Sequence, residues 1–170
     1  SYLSSAGALY YSHRQYDLAR KYYKTMVTKF PESQQRSVGL LSLMNSYFFL
    51  GKYTDAEFVA KKILGLPDAP TDQVEVARRR IGESIYKNAE KLEQEEQYLD
   101  AAREFFRVYS EASYYEDIVD LALFKSAKNY EQSDEWKQAI NVYDTLVTNY
   151  EGSEHRLIAL GKIADAYKQM

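Results

Sequence analysis

Wherever apolar positions recur along this chain for long enough to show a period, they recur at three and four residues, the spacing of one face of a helix. An aromatic residue followed three positions later by alanine recurs in phase as Tyr16/Ala19, Tyr53/Ala56, Tyr98/Ala101 and Trp136/Ala139. Six residues before each aromatic stand Tyr10, Tyr47, Leu92 and Tyr130, and four residues after each alanine stand Tyr23, Ala60, Phe105 and Tyr143. The four segments close on Phe30, Pro67, Ala112 and Tyr150, and a fifth opens with Leu160, Ala164 and Tyr167. Breakers and polar clusters between the apolar runs predict helices over residues 2–13, 15–29, 35–50, 53–65, 72–95, 98–110, 116–132, 135–148 and 154–169, with turns between them, one at 30–33. No strand is expected.

The spacing of the equivalent positions Tyr10, Tyr47, Leu92, Tyr130 and Tyr167 is 37, 45, 38 and 37 residues. The long interval exceeds its neighbours by about two helical turns, so the buried face stays in register. Thr71 or Asp72 is a good N-cap, and no breaker follows until about Gln97. The fifth helix is therefore expected to run unusually long, with its added residues near 72–80. Packing of Val74 and Ala77 near Ile63 and Leu66 would hold that extension.

Composition agrees with helix. Glycine (7) and proline (3) are scarce, while straight-chain residues that lose little rotamer freedom in a helix are plentiful. The net charge of −3 gives no global attraction for a phosphate backbone, which argues against nucleic acid. Without cysteine there is no disulfide and no thiolate chemistry. No apolar run approaches the roughly 20 residues that span a bilayer, so direct membrane insertion is not expected. The opening Ser1-Tyr2-Leu3 reads as that of a mature or excised fragment.

The repeated pattern resembles the tetratricopeptide repeat, whose signature runs W-x2-L-G-x2-Y…A-x3-F…P. Leu3-x2-Ala6-Gly7-x2-Tyr10, followed by Ala19-x3-Tyr23 and Pro31, fits it best; Leu123-x2-Ser126-Ala127-x2-Tyr130 with Ala139-x3-Tyr143 fits nearly as well. Small residues at Gly7, Ala19, Ala56, Ala89, Ala101, Ala127, Ala139 and Ala164 would let paired helices approach closely, with aromatics filling the gaps. The resemblance implies an all-α, right-handed superhelical solenoid of antiparallel helix pairs, four full repeats plus a partial fifth. The units would lie near 1–36, 37–71, 72–119, 120–156 and 157–170 of a single domain over residues 1–170. It further implies a concave groove formed by the first helix of each pair. Carried over by position, that groove holds Tyr11, Asn45, Phe48, Phe49, Tyr86, Glu90, Glu93, Phe124, Lys128 and Glu131, with Ser4 and Ala8 at its start. Tyr47 already serves the core, so Phe48 and Phe49 cannot both point inward; they either cover a neighbouring helix or form an apolar anchor site. Glu90, Glu93 and Glu131 dominate the groove, which favours apolar and basic partner segments over a partner's C-terminal carboxylate.

Arg78, Arg79 and Arg80 stand on the long helix as either a solvated face or a docking edge. His13 and His155 have no second ligand at helical spacing, and no phosphate loop or nucleophile–base constellation occurs. No cofactor and no catalysis are expected. The expected function is a protein–protein interaction scaffold binding a partner protein or peptide. The units "YDLARKYYKTMVTKFPES" and "EWKQAINVYDTLVTNYEGS" are similar in style to bacterial cell-envelope repeat proteins, the barrel-assembly lipoprotein and the Tol–Pal coordinator among them. That style implies the periplasm or outer membrane, with the cytoplasm as alternative. An accessory domain of a larger cell-wall enzyme and, behind it, a helical-repeat RNA binder are the other readings. The last helix, with Leu160, Ile163 and Tyr167, is expected to expose apolar surface and to support weak self-association.

Overall fold

The computed structural model describes residues 2–31, 33 and 35–170, and every side chain among them except those at 116 and 117. Among the described residues there are nine helices and no strand: α1 (Tyr2–Ser12), α2 (Tyr16–Lys29), α3 (Arg36–Phe49), α4 (Tyr53–Leu64), α5 (Thr71–Gln94), α6 (Tyr98–Ala112), α7 (Glu116–Gln132), α8 (Trp136–Asn149) and α9 (Arg156–Gln169). Every helix lies within two residues of its expected ends. Position 32 of the predicted turn at 30–33 lies outside the described residues.

One local device closes each of the four hairpins. The residue two places before the repeated aromatic takes a left-handed conformation: Arg14 (φ 57°), Gly51 (φ 69°), Glu96 (φ 59°) and Asp134 (φ 58°). The next amide donates to the carbonyl of the equivalent tyrosine or leucine, from Gln15, Lys52, Gln97 and Glu135 to Tyr10, Tyr47, Leu92 and Tyr130, each at 2.9 Å. Together with bonds from Arg14, Gly51, Glu96 and Asp134 to Tyr11, Phe48, Glu93 and Glu131, this satisfies the orphan carbonyls of the first helix. Only Gly51 adopts this conformation without a Cβ in the way. The joints between units are less uniform. After α2 and α8 the chain turns alike: Phe30 and Tyr150 share φ −128°, and Ser33 and Ser153 each accept the amide two residues on through Oγ.

The small residues sit where close approach requires them. Ala19, Ala56, Ala89, Ala101, Ala127 and Ala139 are fully buried, and a Cβ on Gly7 would stand 2.9 Å from the Tyr23 ring. Ala164 corrects the expectation. It is exposed, and Ala159 and Ala166 are the buried alanines of α9. The face of α7 that carries Leu123 and Ala127 is buried. On α9, Leu160, the counterpart of Leu123, is 43% exposed and Tyr167, the counterpart of Tyr130, 63%, because no described helix covers them, while Ile163 is half-buried.

The long helix is present, 24 residues from Thr71. Its start differs from expectation: the Pro70 carbonyl accepts the amides of Gln73 and Val74, so Pro70 holds the cap position and Thr71 is already helical. Ala77 is buried, Val74 half-buried and Val76 exposed.

The contacts gather into two compact units, residues 1–84 and 85–170, divided inside α5. Contacts in a repeat array are local, so grouping follows position along the chain. Unit 1 is cored by Met26, Met44, Ile63 and Ala77, and unit 2 by Phe105, Leu123, Tyr143 and Leu146.

Candidate partner-binding site

In each unit the first helices of successive hairpins meet through side chains about one repeat apart in sequence. Unit 1 makes this face from rings. Tyr16 stacks on Phe49 with centroids 4.9 Å apart, and Tyr11 meets both edge-on, Tyr16 at 5.3 Å and Phe49 at 6.3 Å. Phe48 lies edge-on to Phe49 at 6.0 Å and to Tyr53 at 5.4 Å. Offset and edge-on contacts suit the ring quadrupoles. The Arg80 guanidinium lies 3.9 Å over the Phe48 ring, donates to Asn45 Oδ1 at 2.9 Å and pairs with Glu83 at 2.9 Å. Phe49 remains 51% exposed amid these rings. Burial and the neighbouring Tyr16 phenol push the Tyr11 hydroxyl above its ordinary pKa.

Unit 2 makes the same face from charges. Lys125 pairs with Glu93 at 3.2 Å and Glu90 at 3.5 Å, Asn129 donates to Glu93 at 2.7 Å, and Lys87 pairs with Glu90 at 2.6 Å. Lys162 pairs with Glu131 at 3.1 Å. Burial works against the Lys125 ammonium, but the Glu93 hydrogen bond and the charges of Tyr86, Glu93 and Glu90 outweigh it and hold its pKa above the usual lysine value. Tyr86 lies edge-on to Phe105 at 5.3 Å, and burial raises its phenol. Phe124 stacks on His155 at 4.8 Å with Lys128 5.9 Å from its centroid.

The structure thus gathers Tyr11, Asn45, Phe48 and Phe49 in unit 1, and Tyr86, Glu90 and Glu93 in unit 2, with Phe124, Lys128 and Glu131 on α7. Two expectations need correction. The groove carboxylates are not a free acidic surface, because Lys125, Lys87 and Lys162 already neutralise them. Arg80 is not an edge residue beside Arg78 and Arg79: those two are exposed, whereas Arg80 is packed on Phe48. Sequence reasoning passed over Lys125, Asn129 and Lys162, and it missed that Arg80 reaches Asn45 and Phe48. The signal was available in the separations of the partners: 35 for Asn45–Arg80 and Glu90–Lys125, 36 for Glu93–Asn129 and 31 for Glu131–Lys162, all near one repeat.

No group of three histidine, aspartate or glutamate side chains able to hold a metal occurs among the described residues. No helix among them is long and apolar enough to cross a membrane. What the arrangement offers is a face of rings in unit 1 and, separately, a face of paired charges in unit 2.

Helix hairpins closed by one repeated turn define an all-helical repeat protein. The chain carries tetratricopeptide repeats: the tetratricopeptide repeat family model matches residues 5–33 and 121–153. The two matched stretches cover most of the α1–α2 and α7–α8 hairpins, whose outgoing turns share one geometry. Among curated proteins, none matches the chain. Tetratricopeptide repeats generally mediate protein–protein interaction.

Proposed function

We propose that this chain is a non-catalytic scaffold that holds a partner protein or peptide on the inner face of its first helices. Its place is a multiprotein assembly of the bacterial envelope, in the periplasm or at the outer membrane. The observation that carries the binding reading is Phe49, half-exposed while in contact with the rings of Tyr11, Tyr16 and Phe48. A large aromatic surface that is rigidly held and left in water is the usual make-up of a binding hot spot. The compartment rests on the resemblance of the repeat phrasing to envelope proteins.

A photo-crosslinking residue at position 49, introduced in the native cell, tests both parts. A discrete adduct with one protein, absent when the same residue replaces the exposed Leu18, is the expected result. Fractionation of that adduct should place it with the envelope. No adduct at 49 would overturn the binding site, and an adduct only in the cytoplasmic fraction would overturn the compartment.

A further inference from the structure

The second helices of unit 1 leave an opening that the first-helix face does not involve. Between α2 and α4, floored by Leu40 and Leu43 of α3, lies a pocket of about 210 Å³. Lys24 and Lys62 stand on its rim with Asp55, and Phe58 beside it is 59% exposed. The Lys62 ammonium lies 4.6 Å from the Phe58 centroid. Neither Lys24 nor Lys62 meets a carboxylate within ion-pair distance among the described residues.

The corresponding helices of unit 2 are joined to each other. Asn149 of α8 donates to the Tyr109 hydroxyl of α6 at 3.1 Å, and Tyr109 contacts Phe106. On α8 the position equivalent to Phe58 is Asn141, an exposed polar residue. Charge separates the units as well. Residues 1–84 carry 12 Lys and Arg against 8 Asp and Glu, and residues 85–170 carry 10 against 17. The open cleft therefore lies in the basic half.

From this geometry we infer that the α2–α4 cleft is a second docking site, for an acidic partner segment that inserts one large apolar side chain. The apolar floor and the exposed Phe58 supply burial for the anchor. The two ammonium groups attract carboxylates on either side of it, and they make association salt-dependent. A basic segment would meet Lys24 and Lys62 as like charges, which excludes it.

A fluorescein-labelled heptapeptide with a central Phe between three glutamates on each side is the probe. Its binding to the whole chain is read by anisotropy. Two control peptides carry Ala for the Phe, or Lys for every Glu. The acidic Phe peptide should bind about tenfold or more tightly than either control and weaken steeply between low salt and about 0.3 M. Lys24→Glu with Lys62→Glu should reduce its affinity about tenfold, and Lys62→Ala should do so by a smaller factor should the double reversal disturb folding. Phe49→Ala should leave it unchanged, which separates this cleft from the inner face. Equal binding of the three peptides, or binding lost with Phe49→Ala and kept in the lysine variants, would overturn the inference. So would sedimentation showing a self-associating chain that Lys62→Glu returns to monomer, since the occupant would then be a second copy.

Discussion

Residues 1–84 and 85–170 close their hairpins with the same hydrogen bonds and the same left-handed residue, yet they dress the scaffold differently. The inner face of unit 1 is Tyr11, Tyr16, Phe48, Phe49 and Tyr53 with one guanidinium laid on them. The inner face of unit 2 is Glu90, Glu93 and Glu131 held by Lys125 and Lys162. On the second helices, unit 1 is open and lysine-rimmed where unit 2 is bridged. The net charge of −3 is the sum of two halves of opposite sign. Backbone geometry is common because one sequence device at each turn produces it. Surface chemistry is free to diverge because nothing in that device depends on it.

The strongest way to break the comparison is to overpack the shared scaffold. Ala56→Leu in unit 1 and Ala139→Leu in unit 2 are both expected to cost about 1–3 kcal/mol in chemical denaturation, since each alanine is fully buried at a helix contact. Ala164→Leu, at the equivalent position of Ala127, should change stability by no more than about 0.5 kcal/mol because its face is uncovered. A large cost there would show that α9 is covered in solution.

Next come the inner faces themselves. Glu93→Ala deprives Lys125 and Asn129 of a common partner and should cost about 1 kcal/mol, less at high salt because the pair is partly exposed. Phe49→Ala should show no such salt dependence. Equal salt responses would dissolve the distinction between an aromatic face and a charged one.

The turns offer a smaller and opposite pair of effects. Gly51→Ala should cost about 1 kcal/mol, from its positive φ alone, since a Cβ there meets nothing within 4 Å. Glu96→Gly should stabilise by about 0.5 kcal/mol by relieving the same conformation. Thermal melts of the two variants moving in the same direction would contradict the shared geometry.

The mildest effect is on the alkaline side. Burial pushes the Tyr143 phenol far above its ordinary range, and Glu131 beside it adds to the shift. A group whose folded pKa is raised contributes stability that is intact below the unfolded value, about 10, and is lost as pH climbs above it. Tyr143→Phe should therefore flatten the decline of stability above about pH 10 and leave neutral stability almost unchanged. An unchanged alkaline slope would contradict the assignment.

Much of this scaffold was legible in residues such as Tyr16, Ala19 and Tyr23, because a 3.6-residue period and a recurring turn are local properties that each repeat states again. The long α5 was legible for the same reason, since seven or eight extra residues keep the helical phase. The candidate site was half legible. Repeat position placed Phe48, Phe49, Glu90 and Glu93 on the right helices, but only packing showed that Arg80 folds onto Phe48 and that Lys125 neutralises Glu90 and Glu93. Long flexible side chains reach partners on another helix, and their direction follows from what is already packed around them. Ala164 shows the same limit from the other side. Its repeat position matches that of the buried Ala127, yet burial is set by the presence of a covering helix. Taken alone, the chain's order of residues determined the helices, their turns and the phase of their buried stripes, since these are encoded by neighbours three and four residues apart. Tertiary structure alone decided which charges are paired, which rings stay in water and which cleft stays open, because those depend on side chains about one repeat apart that meet only once the hairpins stack.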